Sequence, residues 1–463
     1  MSKPLIIMCA FPASGHIEPL LQITAYLVSK GFPVFFLCGS PFEQRARDAG
    51  AEPWPNDFGP LTPETIQGQF ALPEGHLRWN YQQKHIFLDG APARHSILKE
   101  CLESVRARFP NRQVILFNEI LFLGALPYLL GASLPKGYEG ENKLKVINFH
   151  TTIDWTGGDE VAPYGLALPP PKDEEDRARY RQLYDEMRPA AKETMEYANR
   201  MMRSLGATKD LSGDFFFSAV TLLPDVVIMA CSPSLEYPRN TRDHLPTKIR
   251  YIGGLPLKTC SKVVDTFPPW WDEVKDNARL PSSDPSRRKV IFVSQGTANI
   301  DDYSELVIPA IAALGAREDV IVVATLGKRA ARLPDSVAIP GNTKVVDYLP
   351  YDAILSMADV FAFNGGYGGF MHGVMNGVPM IFAGTAADKG EVAARAEWAG
   401  IAVNLRTNTP TKLMILDAVE RVLDDGRMKA RAMELKQENE AMDSLGEIER
   451  QILELSETQP AQE

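Results

Sequence analysis

The densest chemical signal in the chain is the run Phe363-Asn364-Gly365-Gly366-Tyr367-Gly368-Gly369-Phe370-Met371-His372, continued by Gly377-Val378-Pro379 and Asp388-Lys389-Gly390-Glu391. An apolar stretch at 359–363 enters the glycines, and Phe370, Met371 and Val374 recur beyond them at helical spacing. The pattern predicts a strand, a turn and a helix. Glycine lets a backbone approach a ligand closely, and the unpaired amides of a helix start, aided by its dipole, suit an anion such as a phosphate. Gly-Gly pairs also serve as plain tight turns. A second apolar run, 378–383, ends at Gly384, and Asp388 opens the next helix, so polar groups gather at strand ends. Near the amino terminus, His16 lies between a first strand and a first helix, at the edge of an open α/β sheet where ligands bind. An isolated histidine serves structure in many proteins; in its neutral form it is also able to take a proton from a hydroxyl.

Both groups need a scaffold that brings strand ends together. Residues 5–11 read as a strand and 18–30 as a helix, with Leu20, Leu21, Ile23, Leu27 and Val28 on one face and Gly31 as its stop. Residues 33–38 are the next strand, which makes a βαβ opening with parallel pairing and a right-handed crossover. Strands follow at 114–117 and 145–149; a helix at 121–131 tolerates Pro127 only with a kink or a late start. Residues 163–218, with Pro169-Pro170-Pro171, a charged run and then Met, Ala and Arg, read as helices laid over the sheet with a solvated face. Strands at 226–231 and 249–252 close this half. Residues 253–288, rich in Pro, Lys and Ser and without sustained periodicity, read as an interdomain linker. The βα alternation then restarts with strands at 289–294, 320–325 and 343–346, helices at 303–314 and 351–357, and the glycine-rich unit. The expected division is 1–252, a linker at 253–288, 289–435, and a C-terminal helix and tail at 436–463 whose polar end is disordered.

The 463 residues exceed one ordinary core, so two domains are expected. A net charge of -10 argues against a protein that coats nucleic acid or an anionic membrane. No apolar run reaches membrane-span length, and residues 5–11 read as a core strand rather than a signal peptide. The 5 cysteines are scattered without a C-x-x-C pair. A cytoplasmic protein without disulfides or a metal cluster is expected.

The glycine-rich run closely resembles the donor-binding signature of the nucleotide-sugar-dependent glycosyltransferases of the GT-B family that act on small lipophilic molecules, in the form seen in fungal and bacterial members. Gly15-His16-Ile17-Glu18-Pro19 resembles that family's Gly-His-x-x-Pro, whose histidine is the general base. In the family a carboxylate after a later strand orients this histidine; here Glu119 stands in a similar segment where the family has Asp, one methylene longer. As a bare strand end, Glu119 would equally be a carboxylate in water. Ser294-Gln295-Gly296-Thr297 resembles the turn whose hydroxyls and amides face the donor diphosphate, and Tyr348, followed by Leu349, stands where an aromatic ring stacks on the nucleobase. Asn364, Gly368 and Gly369 replace the His, Asn and Ser of plant members, which shifts phosphate contact toward backbone amides, and His372 replaces the plant ribose-binding Glu. Asp388-Lys389 stands where the family has an acid-Gln pair on the sugar hydroxyls, although Asp388 also fits a plain helix cap.

The resemblance implies two facing Rossmann-like α/β domains with mainly parallel sheets. It implies donor-contacting residues Ser294, Gly296, Thr297, Tyr348, Leu349, Asn364, Gly365, Gly366, Gly368, Gly369, His372, Asp388 and Lys389, with His16 and Glu119 as the catalytic pair. The expected reaction is inverting transfer of a hexose, glucose from UDP-glucose, to a hydroxyl of a small phenolic or polyketide-like acceptor, with the UDP-sugar as co-substrate and no required cofactor. A nucleotide-sugar-binding protein without turnover is the alternative if Glu119 spoils catalysis. A dinucleotide-dependent oxidoreductase needs a G-x-G-x-x-G turn after the first strand, which 12–16 lacks.

Overall fold

A computed structural model describes residues 3–54, 62–73, 75–157, 161–238, 248–257, 267–296 and 302–457. The first half is a seven-stranded parallel sheet of order β3-β2-β1-β4-β5-β6-β7, with β1 Leu5–Cys9, β2 Val34–Leu37, β3 Glu52–Trp54, β4 Val114–Glu119, β5 Lys145–His150, β6 Val226–Met229 and β7 Ile249–Tyr251. The second half is a six-stranded parallel sheet of order β10-β9-β8-β11-β12-β13, with β8 Lys289–Ser294, β9 Val320–Thr325, β10 Thr343–Val346, β11 Val360–Phe363, β12 Met380–Phe382 and β13 Ala402–Asn404. The central strands are buried on both faces, which is why they read as continuous apolar runs. In each sheet the strand order reverses once, between β1 and β4 and between β8 and β11. A crevice opens at such a switch point at the carboxyl ends of the strands.

Several local expectations change. The first helix starts early, at Ser14, and carries Pro19 inside it, past the first turn, where the missing N–H leaves the Gly15 carbonyl without its helical partner. The helix expected at 121–131 starts late and is only Leu126–Leu129, with Pro127 in its first turn. The segment expected to lay helices over the first sheet is mainly one long helix, Glu174–Ser204, capped by the Asp173 carboxylate on the Asp176 amide at 3.0 Å, with a short helix, Phe216–Thr221, after it. The segment read as a linker holds a helix, Trp271–Arg279, fixed to the second sheet's entry by reciprocal Asn277 and Arg288 bonds of 2.8 Å; residues 258–266 lie outside the described residues.

The chain end crosses back to the first half. Helix Gly426–Ala441 packs on helix Tyr367–Asn376, and its Asn439, fully buried, accepts from the Ser232 and Gly254 amides at 2.8 and 3.0 Å. Helix Ser444–Glu457 then places Ile448 and Ile452, both fully buried, in the core between the first helix and the first sheet. Glu449 holds Lys3 at 3.0 Å and Tyr26 at 3.1 Å. The tail at 458–463 lies outside the described residues.

Candidate active site between the two sheets

Three strand ends at the first switch point converge. His16 follows β1, Glu119 ends β4 and Thr151 follows β5, and β4 lies between the other two in the sheet. Glu119 is fully buried; its Oε1 lies 2.9 Å from His16 Nδ1, and its Oε2 accepts from the Phe11 amide at 3.2 Å. The Thr151 hydroxyl donates to Glu119 Oε1 at 2.9 Å and lies 2.8 Å from His16 Nδ1. Its proton is therefore spent on the carboxylate and its lone pair faces the ring. Both neighbours put the imidazole proton on Nδ1 and leave Nε2 as the basic nitrogen. The Phe11 ring flanks the imidazole edge-on at 5.6 Å.

Burial favours a neutral imidazole, but the charge and hydrogen bond of Glu119, with a smaller contribution from Asp388, outweigh it and raise the His16 pKa above its ordinary value. The helix start, which by its dipole favours the neutral ring, does not decide the matter. Burial likewise pushes the Glu119 carboxyl up, and His16, Thr151 and the Phe11 amide together bring it below the usual carboxylate range. Glu119 is thus no solvated strand end: its extra methylene reaches the ring. Thr151 is not apparent from the motifs, though it follows the strand read at 145–149, where the rule that gathers polar groups at strand ends applies.

The second switch point lies across from this group. Ser294 ends β8 and is fully buried, and its hydroxyl bonds the Tyr351 hydroxyl at 2.6 Å. Gly296 and Gly365 adopt φ of +91° and +87°, which only glycine takes readily. Gly296 sits against the Asn364 carboxamide, which donates to the Gln295 carbonyl and so ties the loop after β8 to the loop after β11. Thr297 lies outside the described residues. Gly366 is the N-cap of helix Tyr367–Asn376, and the Phe370 amide takes its carbonyl at 3.0 Å, so the amides of the first turn precede the helical ladder. A Cβ on Gly368 would meet nothing within 4 Å, so this position is open.

At Gly369 a Cβ would lie 2.8 and 2.9 Å from the Phe363 ring, so helix-strand packing also requires glycine there. His372 Nδ1 lies 2.6 Å from the buried Asp352 carboxylate, which Asn376 contacts at 3.2 Å. A carboxylate is present beneath this helix, but it holds an imidazole. Tyr348 is half-buried with the Arg329 guanidinium 5.2 Å over its ring, and Leu349 is core. Burial and the charge of Glu18 in the first half raise the Tyr348 pKa, against the Arg329 and Arg45 guanidinium charges.

Helix Lys389–Trp398 joins the halves. Asp388 is its N-cap residue but makes no side-chain cap bond; its Oδ2 accepts from the Thr152 hydroxyl of the first half at 2.6 Å. Lys389 packs along Gly365 and Gly384, and burial lowers its pKa against the opposing charges of Asp388 and Glu305. One turn on, Glu391 accepts from the Gly165 and Ala167 amides at 2.8 and 2.9 Å. Arg395, 4% exposed, binds Glu391 at 3.0 Å and Glu236 of the first half at 2.6 Å. The Glu391–Arg395 pair has the i, i+4 spacing of a helix, but nothing in the sequence points to Glu236, which lies far away in the chain. Among the described residues no cluster of metal-ligating side chains occurs, and no helix is long and apolar enough to cross a membrane.

Residues 309–455 match the family model for the erythromycin biosynthesis protein CIII-like C-terminal domain. The chain is 37% identical over 456 residues to UDP-glucosyltransferase 1 of Beauveria bassiana (strain ARSEF 2860), covering 97% of this chain and 94% of the relative. It is 34% identical over 472 residues to UDP-glucosyltransferase B1 of Starmerella bombicola, covering 98% and 99%. Among solved structures, the glycotransferase of kitacinnamycin superposes with a TM-score of 0.68 at 20% identity, covering 97% of this chain and all of the other, a likeness of fold. Two parallel sheets facing across their switch points, with relatives this similar along almost the whole chain, show that it belongs to the UDP-glycosyltransferase family and has the GT-B fold.

Proposed function

We propose that the protein transfers glucose from UDP-glucose, with inversion, to a hydroxyl of a small phenolic or polyketide-like acceptor in the cytoplasm, and that His16 is the base. Glycosyl transfer from a UDP-sugar is the activity of the family. The observation that carries the finer reading is the 2.9 Å contact between His16 Nδ1 and the fully buried Glu119.

In this reading His16 Nε2 takes the proton of the acceptor hydroxyl as its oxygen attacks the anomeric carbon from the face opposite the diphosphate. The new carbon-oxygen bond forms as the bond to the β-phosphate oxygen breaks, and its electron pair leaves with UDP. Glu119 holds the Nδ1 proton and stabilises the imidazolium that forms. The departing charge meets the amides at the start of helix Tyr367–Asn376 and the Lys389 ammonium, dipoles and a cation fixed before the reaction starts. Asp388 contacts the sugar hydroxyls, and Tyr348 stacks on the base. Because Glu119 reaches His16, the substitution for Asp gives no reason to favour a binding protein without turnover. Incubation with UDP-glucose and a panel of phenols, followed by mass spectrometry and NMR of the anomeric linkage, tests the reading; an inverted glucoside is expected, and retained configuration contradicts it.

A further inference from the structure

A cavity of about 60 Å³ lies between helix Glu174–Ser204, residues 154–157 and 161–168, and helix Lys389–Trp398. A water needs roughly 10–15 Å³ of such space, so the cavity as it stands takes one polar substituent or a few waters rather than a whole acceptor. Ring contacts lead from its wall to the base: Trp155 to Phe217 at 4.2 Å, Phe217 to Phe87 at 5.8 Å, Phe87 to Phe11 at 5.8 Å and Phe11 to His16 at 5.6 Å. A lipophilic molecule lying along these rings with one hydroxyl at His16 turns its other end toward the cavity.

That end is polar and acidic. Asp154, Glu391 and Arg395 line it, and Glu236 stands behind Arg395, so three carboxylates and one guanidinium gather at this end, with Glu236 and Glu391 both paired to Arg395. Tyr237 lines the same end. It is 5% exposed, and the Arg395 guanidinium lies 4.3 Å over its ring, yet its hydroxyl has no hydrogen-bond partner among the described residues. A buried hydroxyl without a partner is costly and uncommon, and one that lines a cavity beside the reaction site is placed to meet a ligand.

We propose that Tyr237 is a specificity-determining residue for the acceptor: its hydroxyl bonds an oxygen or N–H substituent at the end remote from the glycosylated hydroxyl. The surplus of carboxylates rejects acceptors that end in a carboxylate. The acceptor class is then a neutral aromatic molecule with a second hydroxyl or carbonyl, an inference that rests on the transfer reading above. Glu391 and Arg395 belong to the donor-side helix, so the acceptor cavity is complete only when the two halves meet.

The test compares kcat and KM of the wild type and Tyr237→Phe with UDP-glucose and three acceptors, a naphthol, a dihydroxynaphthalene and a hydroxynaphthoic acid, after melting curves show equal folding. The wild type should prefer the diol to the naphthol by about tenfold and use the acid least, and Tyr237→Phe should lose the preference for the diol through KM. An undiminished preference in an active Tyr237→Phe, or equal use of the acid and the diol by the wild type, overturns the proposal alone. No glycoside from any of the three overturns the transfer reading and this proposal with it.

Discussion

Thr152 of the first half donates its hydroxyl to Asp388 of the second at 2.6 Å, a direct side-chain hydrogen bond across the site between a strand-end residue and the head of the donor-side helix. Asp388 does not cap that helix, although its position in the sequence fits a cap. In the proposed function, sugar hydroxyls of the bound donor take the place of Thr152 on the same carboxylate. Asp388→Asn should therefore lower kcat/KM for UDP-glucose by about tenfold to a hundredfold, since a charged acceptor is about twice as strong as a neutral one, and barely move the melting temperature. Steady-state kinetics and a melt of the same variant separate this from capping, under which both stay put.

Gly368 and Gly369, adjacent in sequence, should answer differently to the same change. Gly368 opens to free space, so Gly368→Glu should keep the fold and weaken UDP binding by about tenfold or more through bulk and like charge beside the diphosphate. Gly369→Glu should instead destabilise the domain, because its side chain meets the Phe363 ring. Calorimetry with UDP on the folded Gly368 variant, and thermal melts of both, check the pair. Unchanged UDP affinity in Gly368→Glu would place the phosphates elsewhere.

The pH dependence follows from the sign of the His16 shift. Glu119 raises the His16 pKa, so the free base, and with it kcat/KM, appears only as pH rises past a value above the ordinary histidine range. Glu119→Gln removes the charge and leaves burial, which acts the other way, so the acid limb of the profile should move to lower pH while the plateau falls by about tenfold. Glu119→Asp should keep the limb near its wild-type place. Coincident limbs for Glu119→Gln and wild type would mean that something other than Glu119 sets the His16 charge.

Much of this architecture was legible because its signals are local. The apolar run at β1 before His16, the apolar run at β11 before the glycines and the helical spacing after Phe370 each lie within one short window, and the sheets formed where those runs predicted. What was not legible depends on contacts distant in sequence. Gly369 reads like Gly368, and only the position of Phe363 separates a packing glycine from an open one. The Asp352 carboxylate that binds His372, and the Glu236 carboxylate that binds Arg395, join residues whose relation exists only in the fold. The Trp271–Arg279 helix was missed because only Val274 and Asn277 are buried in it, too few to print a period on the sequence.

The central claim, that His16 is the base of the transfer, is tested most directly by the turnover of His16→Ala with UDP-glucose and a phenolic acceptor, beside its affinity for UDP. The account predicts a fall in kcat of about two to four orders of magnitude with UDP affinity nearly unchanged, since His16 touches the acceptor proton and not the diphosphate; turnover close to that of the wild type would contradict it.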